Sequence, residues 1–213
     1  MRYNLPYALG GQKIGLLGGS FDPAHEGHIH ITKEAMKNFH LDAVWWLISP
    51  RNPLKKKKPE AVRDRKTNAE LLLKDANTFV TDLEFQLKTQ YTYEIILQLK
   101  RLYWGVSFVW IMGADNLKQI SRWHRWTRIF NQDPIAVFDR APYSFGALAG
   151  KAAKAFCRFK RKRSDACNLP DMAPPAWMFF HTQLHPGSAT NIRAHKSRGE
   201  SSSAKKMERP ECE

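Results

Sequence analysis

The stretch GGSFDPAHEGH contains a dense set of side chains able to do chemistry. It runs from Gly18 to His28 and directly follows an apolar run at 14–17. Glycines without a Cβ permit close backbone approach, and His25 and His28 share one face if a helix begins between them. Imidazole N–H groups donate to phosphate oxygens, and the first N–H groups of a helix attract the same anion. The stretch therefore predicts phosphate chemistry at a strand-to-helix turn.

The elements around this stretch alternate between apolar strands and amphipathic helices. Strands are predicted at 13–21, 43–49, 79–85, 107–112, 134–138 and 176–180; helices are predicted at 27–39, 63–75 (with leucines 71–73 as its apolar face), 92–103, 143–161 and near residue 190, with a connector at 168–175. Such alternation favours parallel strands joined by right-handed crossovers. The expected fold class is α/β, a Rossmann-like open parallel sheet with helices on both faces. Ligands of such sheets bind beyond the carboxyl ends of the strands, where Gly18 and Gly19 lie.

Length and composition suit one globular domain. The chain has 213 residues, 43% of them hydrophobic, and we expect a domain at 1–198 followed by a disordered polar tail at 199–213. No transmembrane run or secretory signal is found, so no membrane partner is expected. Three scattered cysteines form no CxxC pair, which favours a reducing cytoplasm over a disulfide framework.

The net charge of +14 is concentrated in runs at 55–58 and 151–163. Such a field attracts polyanions without selecting one, and most charge runs are solvated surface. A basic RNA-binding module is an alternative function. No aromatic RNA-binding motif, KH loop or double-stranded RNA pattern supports it, so a nucleic-acid partner is not expected.

The opening motif resembles the signature of the nucleotidylyltransferase superfamily, GGSFDPxHxGH, at nine positions. A second segment, SATNIR at 188–193, resembles the family pattern ISSTxIR. Ser188, Thr190 and Arg193 fit this pattern, whereas Gly187 and Ala189 depart from it. Hydroxyls at a helix start and an arginine one turn later suit a triphosphate.

Between these motifs, the chain resembles the bacterial nicotinate-nucleotide adenylyltransferase family. The markers are NPLK at 52–55, YTYEIIL at 91–97, GADNL at 113–117 and WHRW at 123–126. The resemblance implies catalytic roles for His25, His28 and Arg193. It implies ATP or phosphate contacts at Gly18, Gly19, Ser20, Phe21, Asp115, Ser188 and Thr190, and mononucleotide contacts at Asn52, Lys55, Thr92, Trp123 and the backbone of His124.

Several of these residues also have ordinary structural interpretations. Trp123 could be a core residue, as we expect for Trp45 and Trp46, although an indole is also a flat platform for a pyridine ring. Asp115, implied at the nucleotide ribose, could instead be a helix N-cap. His30 lies outside the family pattern and is expected to be an exposed bystander. No first shell for a metal ion is complete, so no metal site is predicted.

The resemblance implies adenylyl transfer from ATP to nicotinate mononucleotide, giving nicotinate adenine dinucleotide and pyrophosphate. Mg²⁺ is expected with the ATP rather than in a fixed protein site. Sister transferases remain alternatives, acting on nicotinamide mononucleotide, on phosphopantetheine or on a cytidylyl substrate. No oligomeric state is predicted.

Overall fold

Six parallel strands form the centre of the structure. The computed structural model describes residues 5–50, 59–89, 91–139 and 144–181. The strands are β1 (Lys13–Gly19), β2 (Ala43–Ile48), β3 (Thr78–Thr81), β4 (Ser107–Gly113), β5 (Ile135–Phe138) and β6 (Trp177–Phe180). Their order in the sheet is β3-β2-β1-β4-β5-β6, and every neighbouring pair is parallel. The predicted α/β class with an open parallel sheet is confirmed.

Helices cover both faces of this sheet, as predicted. They are α1 (Glu26–Phe39), α2 (Val62–Leu72), α3 (Leu83–Gln86), α4 (Thr92–Leu102), α5 (Ala114–Gln119), α6 (Trp126–Phe130), α7 (Ser144–Leu148) and α8 (Lys151–Ala155), with 3-10 turns at Ile120–Arg122, Cys157–Phe159 and Arg163–Asp171. Helices α1 and α2 contribute buried residues to one face, and α4, α5, α6 and α8 contribute to the other.

Successive strand side chains point to opposite faces, which divides the core into two layers. Trp45 packs edge-on against Tyr103 and Phe108, at centroid distances of 4.9 and 5.8 Å. Trp46 faces the other layer, where its indole N–H donates to Thr32 Oγ1 at 2.8 Å. Both indoles are 0% exposed, so the prediction that they are core residues is confirmed.

The predicted leucine face of the helix at 63–75 is only partly right, because Leu72 and Leu73 pack partly buried against the core whereas Leu71 does not. The helix α2 spans Val62–Leu72, and Leu71 is 78% exposed. Consecutive residues lie about 100° apart around a helix, so three in a row cannot share one face. The residues that α2 buries are Arg65 and Ala69.

The strand predicted at 79–85 is shorter than expected, because β3 ends at Thr81 and α3 begins at Leu83. Thr81 Oγ1 accepts a hydrogen bond from the Leu83 backbone N–H at 3.2 Å. A hydroxyl that bonds the backbone two residues later stabilises a turn, which ends the strand.

The single basic helix predicted at 143–161 is also wrong. The segment breaks at Gly150, which is the N-cap of α8, and it ends in a 3-10 turn. The next residues extend along the sheet edge, where Lys160 bridges to Trp177 and the Arg161 N–H donates to the Trp177 carbonyl at 2.8 Å. The connector predicted at 168–175 begins inside the 3-10 segment Arg163–Asp171.

The predicted boundary at residue 198, the tail at 199–213 and the helix near residue 190 all lie outside the described residues. Among the helices that the structure describes, none is both long and apolar enough to cross a membrane.

Candidate active site

The residues of the motif at 18–28 lie where the strand order of the sheet reverses. Strands β1 and β4 are neighbours at the centre of the sheet, β2 and β3 extend on one side, and β5 and β6 extend on the other. The crevice beyond the carboxyl ends of two such strands is the usual ligand position in an open α/β sheet. Helix α1 follows β1 and helix α5 follows β4, so both begin at this edge.

The side chains of His25 and His28 together cap the start of α1. His25 is the N-cap residue with an extended backbone, and its Nδ1 accepts a hydrogen bond from the Gly27 N–H at 3.1 Å. The Nδ1 of His28 accepts from the His25 N–H at 3.2 Å. This reciprocal arrangement is a capping box built from two histidines in place of the usual hydroxyl and acid.

These bonds define the hydrogen-bonding state of both rings. An imidazole nitrogen that accepts a backbone N–H carries no proton, so the proton of each neutral ring resides on Nε2. The ring centroids are 4.0 Å apart. His25 is only 6% exposed and His28 is half-buried, so His28 is the more accessible donor.

Phe21 connects the end of β1 to these histidines through an unusual turn. Its φ of 45° lies in the left-handed region, which bulky residues rarely adopt. The ring is 2% exposed and stacks on Trp46 at 5.0 Å, with the His28 ring 4.7 Å away on centroids. Packing of the aromatic ring thus holds the turn that positions His28.

The missing Cβ atoms of Gly18 and Gly19 make room for packing within the protein. A Cβ on Gly18 would lie 2.5 Å from the Trp110 ring, and one on Gly19 would lie 3.2 Å from the Phe21 ring. The space left by each missing Cβ is filled by a protein side chain. This packing favours glycine at both positions, and the approach of a ligand to their backbone, which lies at the ligand edge of the sheet, stays a prediction.

Asp115 lies in the first turn of α5, directly beyond β4. The N-cap of α5 is Gly113, so the N-cap interpretation of Asp115 is wrong. The carboxylate is half-buried near the positive end of the helix, a location that favours negative charge.

Three of the five predicted mononucleotide residues, Thr92, Trp123 and His124, lie on two segments that meet. Thr92 is the first residue of α4, and the ring of the preceding Tyr91 lies 4.6 Å from the exposed His124 ring on centroids. Trp123 is half-buried and packs against the core, so it combines core contact with an exposed portion. The arginines that flank this region, Arg125 and Arg128, lie over the Tyr93 ring at 5.5 and 6.0 Å, and hydrogen bonding from Arg128 lowers the pKa of the Tyr93 phenol.

Five predicted site residues fall outside the described part of the chain: Asn52, Lys55, Ser188, Thr190 and Arg193. The interpretation of His30 as an exposed residue is wrong, because His30 is half-buried in α1. Within the described ranges, no group of three His, Cys, Asp or Glu side chains could hold a metal ion.

One feature of the site was missed from sequence. Arg65 is 1% exposed and donates to backbone carbonyls at the ends of β1 and β2, and Glu84 is buried close by. The signal was present, because Val62, Arg65, Ala69 and Leu72 follow helical spacing and an arginine therefore occupies the inward stripe of α2.

Comparison with known proteins assigns a family to this site. A family model described as cytidylyltransferase-like matches residues 16–195. The chain is 43% identical to the probable nicotinate-nucleotide adenylyltransferase of Roseobacter denitrificans, across 91% of this chain and 98% of the relative. It is 44% identical to the protein of the same name from Cereibacter sphaeroides, across 85% and 96%.

A solved structure shares the fold at low sequence identity. The Plasmodium falciparum nicotinic acid mononucleotide adenylyltransferase complexed with NaAD has a TM-score of 0.66 and 16% identity, over 86% of this chain and 83% of that protein. The family model and the sequence relatives show that the chain belongs to the cytidylyltransferase-like family, within the group whose members are named nicotinate-nucleotide adenylyltransferases.

Proposed function

We propose that this protein transfers the adenylyl group of ATP to nicotinate mononucleotide, giving nicotinate adenine dinucleotide and pyrophosphate. The names of the sequence relatives support the choice of substrates. The pair of imidazoles at the start of α1 supports the reaction type, since it offers paired donors at the ligand edge of the sheet.

The reaction needs no covalent enzyme intermediate. An oxygen of the mononucleotide 5′-phosphate attacks the α-phosphorus of ATP, the bond from the α-phosphorus to the bridging oxygen breaks, and pyrophosphate leaves with that electron pair. The nucleophile is already an anion, so the protein contributes positioning and stabilisation of charge.

The observation on which the proposal depends is the state of His25 and His28. Each Nδ1 is occupied by a backbone N–H, which leaves each neutral ring as an Nε2–H donor. Donors that are oriented before substrate arrives cost no reorganisation when charge develops on the reacting phosphates. His28 stabilises that charge directly, with His25 beside it.

The remaining roles follow the family pattern residue by residue. The backbone at Gly18, Gly19, Ser20 and Phe21 borders the phosphates, and Asp115 binds the nucleotide ribose. Thr92 and the His124 backbone bind the nicotinate carboxylate, with Trp123 on the ring and Asn52 and Lys55 toward the mononucleotide. Ser188, Thr190 and Arg193 hold the departing phosphates.

Mg²⁺ belongs to the nucleotide substrate in this scheme. Mg²⁺ prefers octahedral oxygen ligands and is commonly bound through substrate phosphates, where it offsets their charge. A cytoplasmic location, suggested by the sparse cysteines, suits such substrates.

The direct experiment incubates the protein with ATP, Mg²⁺ and one acceptor at a time, and identifies products by mass. We expect nicotinate adenine dinucleotide and pyrophosphate, with slower turnover of nicotinamide mononucleotide. Preferred turnover of nicotinamide mononucleotide or phosphopantetheine, or of CTP in place of ATP, would assign a sister activity. The absence of pyrophosphate with every acceptor would refute nucleotidyl transfer.

A further inference from the structure

Arg65 joins the carboxyl ends of two neighbouring strands from inside the protein. Its Nη1 donates to the carbonyl of Ser20, just beyond β1, and to that of Ser49, just beyond β2, at 2.5 and 2.9 Å. Its Nη2 donates to the Pro50 carbonyl at 3.3 Å and its Nε to the Glu60 carbonyl at 2.9 Å. A planar guanidinium can serve several carbonyls at once, which an ammonium cannot do in the same geometry.

The buried charge at Arg65 is balanced by acids that surround it. Burial lowers the pKa of Arg65, whereas the charges of Asp22, Glu60 and Glu84 raise it. Glu84 is 4% exposed; burial raises its pKa to about 7, opposed by a hydrogen bond with Ser49 and by the charge of Arg65. Burying such groups is costly, so this arrangement is more than a means of filling space.

The Ser20 carbonyl belongs to the peptide that leads into Phe21. Phe21 has a φ of 45°, a left-handed conformation that is unfavourable for a residue with a Cβ. Packing on Trp46 holds the ring of Phe21, and Arg65 holds the preceding carbonyl. The Phe21 ring in turn contacts His28, with centroids 4.7 Å apart.

We propose that Arg65 is a positioning residue for adenylyl transfer, which fixes the Ser20–Phe21 turn and through it the imidazole of His28. The inference rests on the proposed function. Arg65 is 1% exposed, so it acts without touching substrate. Its effect falls on turnover, because the donor it positions is used as charge develops on the reacting phosphates.

The first test is Arg65→Lys, which keeps the charge and loses the planar fork. We expect kcat to fall on the order of 10- to 100-fold, since a misplacement of about 1 Å can cost 10²-fold, while KM for each substrate changes less than about threefold. Arg63→Lys is the matched control, because Arg63 is exposed on the same helix. It should keep wild-type turnover.

A double-mutant cycle with His28→Ala separates positioning from general damage. If Arg65 acts through His28, the double variant should be no more than about threefold slower than His28→Ala alone, because residues acting as a unit are not additive. Additive losses would show that Arg65 acts independently of His28 and would overturn the proposal.

Stability is measured beside turnover, with assays run well below each melting temperature. If Arg65→Lys does not fold, Arg65→Met keeps the apolar length of the side chain and enters the same cycle. A folded Arg65 variant with wild-type kcat would also overturn the proposal. The proposed function fails separately, if the wild-type protein itself releases no pyrophosphate from ATP with any acceptor.

Discussion

The starts of α1 and α4 differ in how they are closed. At α1, the imidazoles of His25 and His28 satisfy the backbone N–H groups and are thereby oriented. At α4, the N-cap residue Tyr91 makes no side-chain capping bond, and its ring rests on the exposed ring of His124. The side chains at the first helix start are oriented by these bonds before substrate arrives, whereas no side chain of the N-cap residue caps the second. Under the proposed function, chemistry falls to the start of α1, the ordered end, and recognition of the mononucleotide falls to the start of α4, the open end.

The largest effect should follow from removing the oriented donor. We expect His28→Ala to lower kcat by about 10³-fold, because one preorganised donor of developing charge is typically worth 10²–10³-fold. Pyrophosphate release at saturating ATP and mononucleotide measures it. His30→Ala is the matched control, two residues along α1. Equal losses of kcat in both variants would contradict the assignment of the catalytic role to His28 alone.

The pH dependence of stability tests the burial of Glu84, whose carboxyl lies close to Arg65. Its pKa rises from 4.5 to about 7 in the folded protein, so the folded state binds more protons than the unfolded state between these values. Stability from this group is therefore present below about pH 4.5 and is lost as the pH rises toward 7. The loss should approach about 3 kcal/mol.

Glu84→Gln should remove this loss of stability at higher pH, because an amide does not ionise. Compared with wild type, the variant should gain relative stability as the pH rises from 4.5 to 8, measured by chemical unfolding at each pH. Glu60→Gln, at an exposed acid near the same guanidinium, is the control. A stability difference between Glu84→Gln and wild type that stays constant with pH would contradict the burial argument.

A substitution at the open end should change the affinity for the mononucleotide. Trp123→Ala should raise KM for the mononucleotide about tenfold and leave KM for ATP nearly unchanged, since stacking on an aromatic ring is worth about 1–3 kcal/mol per base. Steady-state kinetics with each substrate varied in turn measures the split. A fall in melting temperature with both KM values unchanged would identify Trp123 as a core residue alone.

The smallest effect is expected at His124, whose backbone rather than side chain is proposed to contact the carboxylate. His124→Ala removes the ring contact with Tyr91, worth about 0.5–1.5 kcal/mol for aromatic pairs. KM for the mononucleotide should therefore rise only about threefold. A rise in this KM larger than the one caused by Trp123→Ala would show that the imidazole of His124 dominates recognition of the mononucleotide.

The sequence predicted what depends on local spacing. His25 and His28 could be placed at a helix start because they lie three positions apart after a buried strand. Local patterning also predicted the parallel sheet. The packing of Trp110 against Gly18 could not be predicted, because Trp110 comes from β4, far along the chain.

Errors at other elements have physical causes of the same kind. The leucine run at 71–73 suggested an apolar face, but tertiary packing turned Ala69 and Arg65 inward and left Leu71 exposed. The buried Arg65 was visible in the helical stripe. Its partners were not, because the carbonyls of Ser20 and Ser49 are presented by strand ends that only the sheet brings together.

The proposed mechanism requires that His25 and His28 are both held as Nε2–H donors. The protonation site of each imidazole can be measured by ¹⁵N NMR. Long-range ¹H–¹⁵N spectra at about pH 8, where an ordinary imidazole is neutral, distinguish the two tautomers. Spectra of His25→Gln and His28→Gln assign the two rings among the eight histidines. We expect the Nε2–H tautomer for both rings before any substrate is added. An Nδ1–H tautomer at either ring, or rapid exchange between tautomers, would contradict it.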